Sequence, residues 1–420
     1  MSRNRLLHAS APPAGEQAWW LHPAAYFDGE QIHRDAALRI ENGRISAITP
    51  GREAGLDGLA VWRCDHLACP AFVDLQVNGG GGVLFTQDPT TESLATIAAA
   101  HRLGGTGTWL PTLITCGPEV MERAVEAVID VHGRFGVAGM HIEGPHIAPE
   151  YRGAHALDLI RPFDDHTLGL LRRLREHSIP VLLTLAPERL ADGLLPRLVD
   201  LGVRVAIGHS GANEEQTRAA LAAGASLFTH LFNGMPPLHT KRVGMTGVAL
   251  DSAAWCGVIA DGHHVDDIML RLAVRAKREP NTLFAVTDAM PTVHGPAQFE
   301  LYGATIEVRD GRLIDARGSL AGVHIDMVGV LQRLVHRVEL PLQCALAMIT
   351  AIPARAAGLY PEHGCLRPRG RADIALLEPD RLTLRSLLIG GAQSVPAGAS
   401  DALAPQPITQ ISSSFGKKLH

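Results

Sequence analysis

Eight short apolar runs rich in β-branched residues, most of them separated by segments of helical period, leave this chain few folds to choose from. The runs begin near Ala71 (AFVDLQV), Gly107 (GTWLPTL), Val137 (VAGMHIE), Pro180 (PVLLTLA), Val203 (VRVAIGH), Ser226 (SLFTHLF), Cys256 (CGVIADG) and Leu283 (LFAVTDA). Between them lie stretches such as "PEVMERAVEAVIDVHGRFG" and "EEQTRAALAAGA", whose apolar positions recur at helical spacing. Strand followed by helix, repeated eight times, is what a (β/α)8 barrel requires. A doubly wound parallel sheet competes, but no G-x-G-x-x-G follows the first run. The expected fold is therefore α/β, a TIM-like (β/α)8 barrel.

The flanks follow a different rule. Residues 19–66 alternate polar and apolar positions, and "AALRIENGRISAITPG" carries a hairpin signal at Asn42-Gly43. Near the other end, "GRADIALLEPD" and "RLTLRSLLIGG" read as further strands of one small antiparallel sheet. Residues 396–420 are rich in Pro, Ser and Ala without periodicity, so a disordered tail is expected there.

Composition excludes several partners. The formal net charge is −5, with 38 basic and 43 acidic residues interspersed, which gives no electrostatic reason to expect nucleic acid or an anionic membrane. No run approaches the roughly 18 apolar residues of a membrane helix, and "MSRNRLLHASAPPAGEQAWW" lacks the uninterrupted apolar core of a signal peptide. The six cysteines are scattered without C-x-x-C spacing, which fits a reducing compartment. A cytoplasmic protein is expected.

In such a barrel the active site lies at the C-terminal ends of the strands. There the runs carry Asp74, Gln76 and Asn78; Thr112; His141 and Glu143; Glu188; His209; His230 and Asn233; Asp261; and Asp288. Charges buried repeatedly at one rim need compensation, and a metal ion would supply it. Glu143, His209 and His230 would converge as one oxygen and two nitrogen ligands, the donor set of a catalytic zinc site with a position left open. The plain alternatives are core or surface imidazoles and a rim salt bridge. Asp288 could act as base and then acid beside a metal-bound water, or serve as a structural carboxylate. His155 and His264 fall in loops on the same side and could donate hydrogen bonds to an oxyanion or an anionic substrate, or be solvated.

Taken in order, "PAFVDLQVNGGGG", "GTGTWLPTLIT", "GMHIEGPHIAPEYRGAH", "TLAPE", "IGHSGANEEQTRAALAAGASLFTHLFNGMPP", "GVIADGHHV", "AVTDAM" and "GSLAG" resemble the N-acetylglucosamine-6-phosphate deacetylases of the amidohydrolase superfamily. The resemblance implies a barrel over residues 70–358 and a small β-sandwich domain built from 1–69 and 359–395. It implies Glu143, His209 and His230 as metal ligands, Asp288 as general base and acid, and His155 as the group that polarises the acetamide carbonyl. Ala154, Asn233, Gly234, His264, Leu320, Ala321, Gly322 and a basic residue after the Met-Pro-Pro turn would hold the sugar phosphate. That basic residue reaches the neighbouring subunit's site in the family, which implies a homodimer.

Two departures qualify the match. Many amidohydrolases carry H-x-H on the first strand for a second metal, whereas this chain has Gln76 and Asn78, neutral amides that bind such ions weakly. One divalent ion per subunit is expected, zinc with Fe2+, Co2+ or Mn2+ as alternatives. In "HTKRVG" the aligned basic residue is Lys241 rather than Arg, with Arg242 next, so either could meet the phosphate. Members that bridge two metals with a carbamylated lysine on the fourth strand are excluded, since the only internal lysines are Lys241 and Lys277. The expected reaction is hydrolysis of N-acetyl-D-glucosamine 6-phosphate to D-glucosamine 6-phosphate and acetate. A deacetylase for the galactosamine epimer and a non-catalytic sugar-phosphate-binding barrel are the alternatives.

Overall fold

A computed structural model of the chain describes residues 6–7, 12–13 and 16–395; the segment 396–420, expected to be disordered, lies outside the described residues. The eight runs form one parallel sheet: β1 (Phe72–Val77), β2 (Thr106–Ile114), β3 (Met140–Glu143), β4 (Val181–Leu185), β5 (Arg204–Ile207), β6 (Leu227–Phe228), β7 (Trp255–Ile259) and β8 (Leu283–Val286). Each pairs with the next in sequence order. Just beyond β8, the Asp288 N–H donates to the Gln76 carbonyl at 2.9 Å, and Val77 bridges Ala289, so the sheet curls round to its first strand. Nearly every strand residue is buried, as expected for strands covered on both faces.

Helices α1 (Thr91–Leu103), α2 (Pro118–Val131), α3 (Asp165–Glu176), α4 (Leu194–Asp200), α5 (Glu214–Ala222), α6 (Gly244–Leu250), α7 (Asp267–Ala276) and α8 (Met327–His336) alternate with the strands. Their starts are written locally. Asp164 accepts from the Thr167 N–H at the head of α3, and Asn213 and Gln216 form a reciprocal capping box on α5. Met121, Val125 and Val128 recur on one face of α2 and are buried, which fixes the side it lays on the barrel.

Strands from both chain ends share a second, nine-stranded sheet. Ile374–Leu377 pairs antiparallel with Val61–Pro70, whose last residue is separated from β1 by Ala71 alone. This sheet therefore joins the barrel where the strands begin, opposite the mouth. Trp19 and Trp20, adjacent in one strand, enter separate apolar clusters, so both faces of the sheet are covered. The Asn42-Gly43 signal is met by a two-residue hairpin turn with φ of 51° and 75°.

One element was not anticipated. Between β8 and α8 the chain makes a three-stranded antiparallel flap, Gln298–Leu301, Ala304–Arg309 and Arg312–Ile314. Leu301, Ile306 and Leu313 pack it against Leu84, Ile114 and Met290 at the strand-end rim. Among the described residues no helix is long and apolar enough to cross a membrane.

Candidate active site

Glu143 is the last residue of β3, and His209, His230 and Asp288 each lie two residues beyond β5, β6 and β8. The latter three have left-handed backbones, with φ of 47°, 24° and 50°. For residues with a side chain this conformation is strained and persists only when neighbours enforce it. They do: the Ala148 N–H donates to the His209 carbonyl at 2.8 Å, and those of Leu231 and Asp288 donate to Gly257 and Gln76 at 2.7 and 2.9 Å. Glu188, past β4, accepts from the Ser210 hydroxyl and the Gly211 N–H at 2.7 Å each, which fixes the turn after His209.

The result is a tight cluster. His230 Nε2 lies 2.9 Å and His209 Nε2 3.2 Å from Glu143 Oε1, and the two Nε2 atoms are 3.0 Å apart. His209 Nδ1 donates to the Tyr151 carbonyl at 2.8 Å, which leaves its Nε2 with a lone pair. Burial alone would raise the Glu143 carboxyl, but the His230 and His209 imidazoles beside it overcome that and hold the group well below its ordinary range. Burial works equally against a charged His230, and there Glu143 wins and raises the imidazole. A carboxylate and two imidazole nitrogens facing one point repel unless a proton or a cation stands between them. This donor set suits a borderline divalent ion. Glu143, His155 and His209 can also each place a ligand atom within 4.8 Å of the others. His230 Nε2, 2.9 Å from Glu143 Oε1 and 3.0 Å from His209 Nε2, stands close enough to complete a set with those two.

Asp288 faces this cluster. Its Oδ1 accepts from Asn78 Nδ2 at 2.7 Å and from Gln76 Nε2 at 3.1 Å, and the same Gln76 nitrogen lies 3.1 Å from both Glu143 oxygens. The two first-strand amides thus point donors at the carboxylates, where a metal ligand would point a lone pair. Burial, reinforced by the negative charge of Glu143, pushes Asp288 up to about 6. His155 is buried beside His209, and burial lowers it to about 3, so it is neutral.

The remaining sequence-derived residues divide. Asp261 accepts from His264 Nδ1 at 2.7 Å and from the His263 and His264 N–H groups at 2.9 Å, which leaves His264 Nε2 unengaged by that carboxylate. Asn233 is half-buried beside His230, and Gly234 is left-handed (φ 59°) where a Cβ would stand 2.9 Å from His209 Nδ1. Ala154 is exposed next to His155. Leu320 is exposed, Ala321 joins the flap core, and Gly322 is left-handed against Met290. Lys241 and Arg242 are exposed on the loop before α6. His141 and Thr112, deeper in the barrel, hydrogen-bond each other, and His141 Nε2 lies 2.8 Å from Thr184 Oγ1, a core role.

Sequence reasoning overlooked Thr115, Tyr151 and Tyr302. Thr115 Oγ1 lies 2.7 Å from His155 Nδ1, and the hydroxyl of Tyr302, at a flap turn, donates to the Thr115 carbonyl at 2.6 Å. Only the place of Thr115 directly after β2 marked it as a candidate.

Residues 67–406 match the model of the amidohydrolase family. An N-acetylgalactosamine-6-phosphate deacetylase from Shewanella sp. (strain ANA-3) is 38% identical over 324 residues, covering 76% of this chain and 81% of that protein. An N-acetylglucosamine-6-phosphate deacetylase from Haemophilus influenzae is 30% identical over 365 residues, covering 86% of this chain and 95% of that one. Among solved structures, the N-acetylglucosamine-6-phosphate deacetylase from Pasteurella multocida superposes with a TM-score of 0.84 at 29% identity, over 90% of this chain and 99% of that one.

Proposed function

The chain belongs to the amidohydrolase family, and from that premise we propose that it hydrolyses N-acetyl-D-glucosamine 6-phosphate to D-glucosamine 6-phosphate and acetate. The observation that carries this reading is a buried carboxylate, Asp288, raised to about 6 and facing a cluster of one carboxylate and two imidazoles at the barrel mouth.

Glu143, His209 and His230 would hold one divalent ion, zinc by preference, with Fe2+, Co2+ and Mn2+ also suited to the donors. When bound, such an ion supplies Lewis acidity, which makes water a nucleophile near neutral pH. Asp288 accepts the proton of the attacking water, a task that suits a carboxyl whose pKa lies close to working pH. It then delivers that proton to the departing sugar amine. The Asn78 and Gln76 amides keep its carboxylate aimed at the reacting centre. His155, neutral and buried, donates a hydrogen bond to the acetamide oxygen as negative charge grows on it.

The rest of the substrate falls to Ala154, Asn233, Gly234, His264 and the loop Leu320–Gly322, with Asp261 orienting His264. Lys241 or Arg242 meets the phosphate across a homodimer interface, which accounts for their exposure in a single subunit. The division into 1–69 with 359–395 around 70–358 belongs to the same proposal. All six cysteines are free thiols, in keeping with the cytoplasm.

Asp288→Asn tests the assignment. Metal content by elemental analysis should be unchanged while acetate release falls on the order of 10^2–10^4-fold; full activity would remove Asp288 from the mechanism. A second reading, the galacto epimer, is favoured by the 38% identity to the Shewanella enzyme. Comparing kcat/KM on the two 6-phosphates decides between them, and release of acetate from neither would leave only a binding protein.

A further inference from the structure

His155 stands where it could do either of two things. It lies within ligand distance of Glu143 and His209, and its ring meets that of His209 edge-on with centroids 4.6 Å apart. It could therefore join the ion as a further ligand, or donate a hydrogen bond to the substrate. Which it does depends on the ring nitrogen that carries the proton. The Thr115 backbone N–H points at His155 Nδ1 at 3.4 Å, and the Thr115 hydroxyl lies 2.7 Å from the same atom. A backbone N–H can only donate, so Nδ1 is the accepting nitrogen and the single proton of the neutral ring sits on Nε2. His209 is set the opposite way: its Nδ1 faces the Tyr151 carbonyl, which can only accept, so the proton is there and the lone pair is on Nε2.

We propose that Thr115 is the positioning residue that makes His155 a hydrogen-bond donor to the acetamide oxygen and withholds it from the ion; this rests on the deacetylase reading above. An imidazole protonated on Nε2 has no lone pair there to coordinate with, and its other lone pair is already taken by Thr115. Thr115 is held for the task from several sides. It is wholly buried, and the Tyr302 hydroxyl of the flap ties down its carbonyl. Gly144, which directly follows Glu143, is left-handed (φ 79°), and a Cβ there would overlap the Thr115 hydroxyl. The glycine after Glu143 is thus the space in which the Thr115 hydroxyl sits.

The experiment uses full-length, zinc-loaded enzyme labelled with 15N-histidine. Long-range 1H–15N spectra, with His155 assigned through a His155→Gln variant, should report a neutral ring protonated on Nε2 and free of metal. Thr115→Val removes the hydroxyl, the shorter of the two contacts that hold Nδ1, and keeps the backbone N–H. The Nε2 tautomer should therefore persist while the ring loses its anchor and kcat falls roughly 10- to 100-fold, up to the cost of one lost oxyanion donor. KM and zinc stoichiometry should stay as they were, and Thr115→Ser should recover most of the loss. A His155 ring protonated on Nδ1 or bound to zinc in active enzyme would overturn the role of Thr115, as would wild-type kcat in Thr115→Val. Failure of the wild-type enzyme to release acetate would overturn the deacetylase reading as well, and so is told apart from failure of the tautomer assignment alone.

Discussion

Asp74 carries a carboxyl whose charge the barrel interior disfavours, and replacing it by asparagine should stabilise the protein in a pH-dependent way. The carboxyl on β1 is 0% exposed. Its Oδ2 accepts from the Thr287 hydroxyl at 2.5 Å, and its Oδ1 accepts from the N–H groups of Gln76 and Thr287 at 3.2 and 3.3 Å. Burial pushes it from an ordinary 3.8 to about 7, only partly opposed by those hydrogen bonds. Because the folded value lies above the unfolded one, folding takes up a proton between those pH values, and stability falls as pH rises through the window. Each pH unit is worth about 1.4 kcal/mol, so the span of about three units amounts to about 4 kcal/mol. Asp74→Asn has no such window: its oxygen can keep both N–H donors, and its NH2 can donate to the Thr287 hydroxyl. Between pH 5 and 8 about two of those units are sampled, so the variant should gain about 3 kcal/mol on the wild type. Urea unfolding of both metal-stripped proteins at the two pH values measures this, since titrations of groups that do not interact with Asp74 cancel in the difference. A difference that stays constant within about 0.5 kcal/mol, or one that shrinks with rising pH, would refute the reasoning.

Gly144 and Gly133 have nearly the same left-handed backbone, with φ of 79° and 80°, but a Cβ at Gly133 would meet nothing within 4 Å. Gly133→Ala should therefore cost only the conformational strain, about 1–2 kcal/mol, whereas Gly144→Ala should lower the thermal midpoint further and suppress acetate release through Thr115; equal effects would contradict the cradle. Lys241→Ala and Arg242→Ala, assayed separately, should raise KM about tenfold for whichever residue clamps the phosphate while sparing kcat, equivalent to about 1.4 kcal/mol of uniform binding. Unchanged KM in both variants would remove the phosphate assignment.

Much of this molecule is legible in the order of its residues. The barrel can be read there because strand and helix periods are local, and because eight repeats admit few closed arrangements. Asn42-Gly43 names its own turn because both residues tolerate positive φ. Asp288 stands out as a charge at a strand end. The flap is less legible, although Asp310-Gly311 lies at one of its turns with φ of 51° and 75°. Its strands are short and half-exposed, and the apolar surface they cover comes from Leu84, Ile114 and Met290, which lie outside the flap's own strands.

Residue order was enough to set which side chains would stand at the mouth of the barrel, since strand ends and residue types follow one another along the chain. What those side chains are was settled by the folded arrangement. His155 and His209 are the same residue type, and whether Nδ1 accepts or donates is set by whether an N–H or a carbonyl faces it. Those partners, Thr115 and Tyr151, lie 40 and 58 residues away along the chain. Hydrogen bonding discriminates over tenths of an ångström, and no local pattern in a sequence carries information at that distance.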